Sequence, residues 1–204
     1  MKELLEKMLE WFILNRILII GIDGLGGAGK TTIASLLKLY LDNKSINSFI
    51  LHIDDFIYPR NIRYNEAKEE WYCYYNLQWR YDYLIKEILM PIKKGIEIDK
   101  RIELYDKEKD KYLLEQIKIP MGSILLLEGI FLQRKELREY IDYYIYLDVP
   151  KEIRLKHVIE RDKYIGSVEE IKKKYERRYF PAEDIYVKKY CPAENADIVL
   201  SYRN

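Results

Sequence analysis

The segment Gly24-Leu25-Gly26-Gly27-Ala28-Gly29-Lys30-Thr31 fits the pattern G-x-x-x-x-G-K-[ST], and its flanks constrain the fold more than any other stretch. Before it, Ile17–Ile20 is a continuous apolar run, as expected of a strand buried on both faces. After it, Ile33, Leu36, Leu37, Tyr40 and Leu41 recur at helical spacing over Thr31–Leu41. A strand, a glycine-rich turn and a helix in that order let successive backbone N–H groups point inward at phosphate oxygens. The positive end of the helix adds to the attraction. In this setting Lys30 reaches toward the outer phosphates, and the Thr31 hydroxyl suits Mg²⁺.

The rest of the chain repeats the alternation. Strands are predicted near Phe49–Ile53, Ile124–Leu127, Tyr143–Leu147 and Ile198–Leu200. The first three run into acids at Asp54-Asp55, Glu128 and Asp148. Strands alternating with helices describe a parallel sheet covered on both faces, whose ligands collect at the carboxyl ends of the strands. Residues 56–122 are too long for a simple crossover and read as an insertion over the site, with a helix around Tyr81–Lys94 and a hairpin-like or irregular piece up to Gly122. Residues 151–179 read as charged helix broken at Gly166 and restarted by a capping box, Ser167-Val-Glu-Glu170. Residues 1–15 place Leu4, Leu5, Met8, Leu9 and Phe12 on one side of an amphipathic helix.

Composition excludes several classes. Lys+Arg 35 against Asp+Glu 34 leaves a net charge of +1, not the basic excess of a general nucleic-acid binder. The apolar runs are too short to span a bilayer, and Glu3, Glu6 and Glu10 do not suit a secretory leader. Two cysteines, Cys73 and Cys191, supply neither a disulfide framework nor a metal-ligand spacing. A single soluble cytoplasmic domain over 1–204 is the expectation, with no nucleic-acid or membrane partner and with a homo-oligomer left open.

The strand-end acids bear on the chemistry that nucleotide binding would serve. Phosphoryl transfer to an alcohol needs an oriented hydroxyl, an acceptor for its proton and a metal to neutralise charge. Asp54, Asp55 and Glu128 stand where such groups belong, although strand-end acids also serve simply to cap turns. The aromatic stretch Trp71–Trp79 suits either stacking on a flat acceptor or a hydrophobic cluster beneath the insertion. His52 reads as a strand residue rather than a catalyst. Lys172-Lys173-Lys174 with Arg177-Arg178 reads as a solvated helix face, and the cysteines as packing residues.

Taken together, these residues resemble the uridine kinase group of P-loop kinases, which includes nicotinamide riboside, pantothenate and phosphoribulose kinases. The likeness runs from Ile17 to Leu200. Gly21-Ile-Asp-Gly24 through Thr32 is similar to the family's opening segment. His52-Ile-Asp54-Asp55-Phe56 resembles its D-x-F element, whose first Asp is the base; that role falls on Asp54, with Asp55 beside it. Leu104-Tyr105-Asp106 resembles the Y-D element, whose tyrosine lines the acceptor pocket. Leu126-Leu127-Glu128-Gly129-Ile130 resembles E-G-I, whose Glu serves the metal. Arg154-Leu155 and Arg161-Asp162 resemble the start of a lid whose arginines close over phosphates.

The resemblance implies a three-layer P-loop fold with a mostly parallel five-stranded sheet and an ATP- and Mg²⁺-dependent kinase acting on a small-molecule hydroxyl. Gly24, Gly26, Gly27, Ala28, Gly29, Lys30, Thr31 and Thr32 would hold the nucleotide. Thr31, Glu128 and Asp54 would serve the metal, with Asp54, Lys30 and Arg161 catalytic. The departures lie on the acceptor side. Uridine kinases place a base-reading histidine where this chain has Asp110, and a ribose-gripping Asp where it has Arg80, with Asp82 two residues on as a substitute. The paired lid arginines after Arg161-Asp162 are also missing. Asp55, Arg80, Asp82, Tyr105 and Asp110 are therefore the expected acceptor contacts. The resemblance makes a nucleoside such as uridine the default acceptor and a different alcohol, such as nicotinamide riboside or a pantothenate-like compound, the runner-up. The departures predict that uridine itself is phosphorylated poorly. The rival reading is a non-catalytic nucleotide-binding protein that signals through its Tyr/Trp-rich insertion.

Overall fold

The computed structural model describes residues 16–202; the amphipathic helix expected over 1–15 lies outside them. β1 (Leu18–Gly24) is buried along its whole length and runs directly into the glycine turn. α1 (Lys30–Asn43) follows, then β2 (Ser48–His52) and a tight 3₁₀ turn, Ile53–Asp55. The insertion holds a helical turn at Arg60–Arg63, helical residues 70–77, and α2 (Tyr81–Leu84), which continues through a π turn, Ile85–Leu89, to Met90–Lys93. β3 (Ile98–Asp106) and β4 (Lys111–Ile119) then form an antiparallel hairpin. β5 (Ile124–Gly129) and β6 (Tyr143–Asp148) return to the main sheet. α3 (Lys151–Arg161), α4 (Val168–Lys174) and α5 (Phe180–Tyr190) lead to β7 (Ile198–Ser201).

The main sheet has the order β2-β5-β1-β6-β7 and every pairing is parallel. Its continuous apolar strands feed two cores, because successive side chains point to opposite faces. Leu18, Ile20, Ile22, Leu126 and Leu147 pack with Ala34, Leu37 and Leu41 of α1. Ile19, Leu51, Leu125 and Leu127 pack on the other face with Leu84, Ile88, Phe131 and Tyr186. Each fully buried Leu or Ile contributes about 1.5–3 kcal/mol, so the sheet makes a rigid base for the strand ends.

The aromatic stretch is resolved in favour of packing. Tyr74, Tyr75 and Trp79 are buried in the larger core, and all three contact the Phe131 ring. The capping box is present: Ser167 Oγ accepts from the Glu170 backbone and the Glu170 carboxylate accepts from the Ser167 backbone. The charged run beyond it needs correction. Lys172 and Lys173 are exposed, but Arg178 is 1% exposed, inside a π turn at Tyr175–Tyr179. A π turn holds one extra residue, which rotates the following side chains relative to the α-helical pattern. That rotation carries Arg178 off the solvent face.

Gly129 sets how closely two strand ends approach. A Cβ there would lie 2.1 Å from Ile53 Cγ2, so only glycine admits the side chain that precedes Asp54.

Candidate active site

The glycine turn closes over the start of α1. Gly29 holds the left-handed conformation at φ 88°, no side chain caps the helix, and its first turn carries no acid. The amide groups there are thus left for an anion. Lys30 Nζ donates to the Leu25 carbonyl at 3.0 Å, which curls its side chain back along the loop. Burial lowers the Lys30 pKa, while Glu128, Asp23, Asp54 and Glu183 pull it back up. The ammonium therefore sits inside a ring of acids.

The loop is also gripped from outside. Arg154 Nη1 donates to the Gly26 carbonyl at 3.0 Å, and Glu183 Oε1 accepts from the Gly26 N–H at 2.9 Å. The same two side chains pair with each other at 2.8 Å, both almost fully buried. His157 Nδ1 lies 2.8 Å from the Gly27 carbonyl. At Gly27, φ is +79° and a Cβ would meet the Arg154 carbonyl and Val158 Cγ1 at 2.7 Å, so α3 seats directly on the loop. Behind it, buried Asp23 accepts from the Gly24 N–H at 2.8 Å, from Gln133 Nε2 at 3.3 Å and from the Tyr186 hydroxyl. Burial raises the Asp23 pKa against these bonds.

The strand-end acids form a second group. Parallel register sets His52 opposite Glu128, and His52 Nδ1 meets Glu128 Oε1 at 2.5 Å. The Thr31 hydroxyl donates to the same oxygen at 3.1 Å. Burial pushes the Glu128 carboxyl up, but His52, Lys30 and Thr31 outweigh it and hold its pKa below the ordinary value. The same hydrogen bond to Glu128 raises His52. Asp54 is largely exposed beyond β2, with Lys107 Nζ of the hairpin 3.9 Å from its Oδ2. Asp55 is more enclosed, and burial raises its pKa.

Among the described residues no three His, Cys, Asp or Glu side chains are grouped to hold a metal by themselves. Mg²⁺ asks for less, since it keeps several waters and is held by one or two protein oxygens together with substrate phosphates. The adjoining Thr31 hydroxyl and ionised Glu128 carboxylate beside the loop fit that demand.

The acceptor-side residues do not come together as one set. Tyr105 and Asp110 do meet: the Tyr105 hydroxyl donates to Asp110 Oδ1 at 2.6 Å, and the Arg60 N–H reaches the same oxygen at 3.0 Å. Arg80 is engaged elsewhere. It pairs with Glu103 at 3.0 Å, and its guanidinium lies 4.0 Å and 3.9 Å from the ring centres of Tyr83 and Tyr112. Exposed Asp82 accepts a 3.4 Å bond from the Tyr58 hydroxyl. Arg161 pairs with Asp162 at 2.7 Å and donates to the Tyr175 hydroxyl at 3.1 Å.

The sequence profile of the Phosphoribulokinase / Uridine kinase family matches residues 19–202. The chain belongs to that family. Uridine-cytidine kinase B of Dictyostelium discoideum is 28% identical over 188 residues, covering 89% of this chain and 73% of that protein. The uridine kinase of Staphylococcus carnosus is 28% identical over 151 residues, covering 73% and 70%. A solved structure described as a possible uridine kinase from Bacillus stearothermophilus superposes with a TM-score of 0.75 at 32% identity, covering 91% of this chain and 89% of that one. Among the described residues no helix is long and apolar enough to cross a membrane.

In this family member, four groups at the site escape a reading of the sequence alone. His52 reads as a strand residue, yet it bonds Glu128; its position directly before the strand-end acids is the only signal. Arg154 falls within a lid motif, which gives no hint of its bond to Gly26. Asp23 falls in the opening segment Gly21–Gly24, which gives no hint of its buried bonds to Gln133 and Tyr186, and Glu183 carries no signal beyond being an acid.

Proposed function

We propose that this uridine kinase-like protein transfers the γ-phosphoryl group of Mg²⁺-ATP to a hydroxyl of a small molecule. The observation that carries the reading is the meeting of Thr31 and Glu128 at the mouth of the phosphate loop, with Lys30 among the same acids and Asp54 in the 3₁₀ turn just past β2. A nucleotide-binding module needs the loop, but it does not need a carboxylate held ionised beside it.

In this reading the amides from Gly24 through Gly29, with Ala28 among them, and those of Lys30, Thr31 and Thr32 cradle the phosphates. Lys30 exchanges its Leu25 carbonyl partner for a phosphate oxygen. Thr31 and Glu128, with Asp54 nearby, would hold Mg²⁺, which when bound neutralises charge on the phosphates. Asp54 orients the acceptor hydroxyl and takes its proton. The hydroxyl oxygen then forms the new P–O bond as the bond to the bridging oxygen breaks and ADP leaves. Arg161 supplies charge from the lid, while Tyr105, Asp110, Asp55 and Asp82 border the acceptor. The protein works as one domain in the cytoplasm, without nucleic acid or membrane.

The test is ADP release from Mg²⁺-ATP across a panel of alcohols, with uridine first by resemblance. Lys30→Ala should lower turnover by roughly 10²–10³, as for loss of other groups that stabilise transition-state charge. Unchanged Mg²⁺-ATP affinity by calorimetry together with full activity of that variant would refute the assignment.

A further inference from the structure

Two guanidinium groups meet the Tyr64 ring and form no ion pair among the described residues: Arg63 of the insertion and Arg178 of the π turn Tyr175–Tyr179. Arg63, on the turn Arg60–Arg63, donates Nη2 to the Tyr105 hydroxyl at 3.0 Å, and its guanidinium lies over the Tyr105 and Tyr64 rings at 5.1 Å and 5.3 Å. Its Nε is buried without a partner, and it forms no ion pair among the described residues. Arg178 lies on the other side of Tyr64, 4.5 Å from that ring. It donates only to neutral oxygens, Gln78 Oε1 at 2.8 Å and the Glu70 carbonyl at 3.3 Å, and its Nε is also buried and unpartnered.

Three other arginines of the region each carry a directly paired carboxylate. Arg80 has Glu103, Arg154 has Glu183 and Arg161 has Asp162. The Asp110 carboxylate acts on Arg63 only through space and through the Tyr105 hydroxyl, which bonds both, so Arg63 has no carboxylate on its own nitrogens. A cation withdrawn from water with no counter-charge is costly, and a ligand that brings the counter-charge recovers that cost. A guanidinium fork also matches a carboxylate or a phosphate in particular, since both offer two coplanar or adjacent acceptors. Lys107, 3.9 Å from Asp54, and the Arg60 side chain, on the Lys107 carbonyl, set two further cations among the acids of this side.

We propose that the acceptor alcohol carries an anionic group, a carboxylate or a phosphate, and that Arg63, backed across Tyr64 by Arg178, receives it. The inference rests on the kinase reading and sharpens it. Neutral nucleosides bring no charge to these two groups. The role expected of Arg80 from its place in the sequence thus passes to Arg63, because Arg80 is neutralised within the hairpin.

The experiment is steady-state ADP release with Mg²⁺-ATP against matched acceptors: uridine and cytidine, hydroxy acids, and sugar phosphates. An anionic acceptor should exceed uridine in kcat/KM by about 10²-fold or more, and whether a hydroxy acid or a sugar phosphate leads decides between the two anions. Arg63→Gln should cut that preference by roughly 10- to 100-fold, mainly through KM, as for loss of a charged hydrogen bond. Arg63→Lys should fall between the two, since it keeps the charge and loses the fork. Uridine as the best acceptor, or equal losses on neutral and anionic acceptors in Arg63→Gln, would overturn the inference and leave the kinase standing. No ADP release with any acceptor, while Mg²⁺-ATP still binds by calorimetry, would overturn both.

Discussion

The phosphate end and the acceptor end of this protein are built differently. At the phosphate end, backbone groups do the holding, and buried side chains on α3 and α5 grip the loop through both the N–H and the carbonyl of Gly26. At the acceptor end the contacts run between side chains: tyrosine rings, guanidinium planes and partly exposed acids. A backbone cradle fits a group common to every nucleotide triphosphate, so it tolerates little change. Side-chain walls can be rewritten one residue at a time without touching the sheet. A fold divided in this way keeps its chemistry at one end and is free to vary its substrate at the other.

Four variants probe that division, in order of expected effect. On the proposed mechanism Asp54→Asn keeps the shape and removes the proton acceptor, so turnover should fall by roughly 10²–10⁴ with ATP affinity little changed. If Asp55→Asn carries the loss instead, the base is the enclosed carboxylate rather than the exposed one. Arg154→Met leaves Glu183 buried without its partner and should destabilise the fold by about 3–5 kcal/mol in denaturant unfolding. A double variant with Glu183→Gln should recover part of that, and a simple sum of the two losses would show that the pair does not act as a unit.

Arg80→Ala removes a guanidinium packed against two tyrosines and a partly exposed ion pair, for about 1–2 kcal/mol in stability. Its acceptor KM should move less than that of Arg63→Gln; the reverse order would return Arg80 to the acceptor. The smallest effect belongs to Asp23→Asn. Burial raises the Asp23 pKa, so the folded state holds its proton more tightly than the unfolded chain does. Its contribution is therefore fully favourable below the unfolded value, about 4, and is lost as pH rises through the folded one. The unfolding midpoint of the variant should gain on that of the native chain as pH rises above about 4. A constant difference across that range would show that Asp23 does not titrate there.

Local features of this fold were legible in the sequence and long-range ones were not. The loop, the strand ends at Glu128 and Asp148, the hairpin before Gly122 and the Ser167 capping box all depend on residues within a few positions of each other. The contact between His52 and Glu128 depends on β5 inserting between β1 and β2, which no local spacing encodes. Arg80 can be placed at a motif position from the sequence, but not between Tyr83 of the helix and Tyr112 of β4. Arg178 sits in a run of charge that reads as surface, and the π turn that hides it has no signature in composition.

The missing methyl at Gly129 acts as a spacer gauge. Ile53 fills the volume that a side chain at 129 would need, so packing sets how closely the backbone that carries Asp54 approaches the backbone that carries Glu128. That approach is fixed by an apolar contact, which salt does not screen. The spacing of these two strand ends is thus gauged by the thickness of one aliphatic side chain.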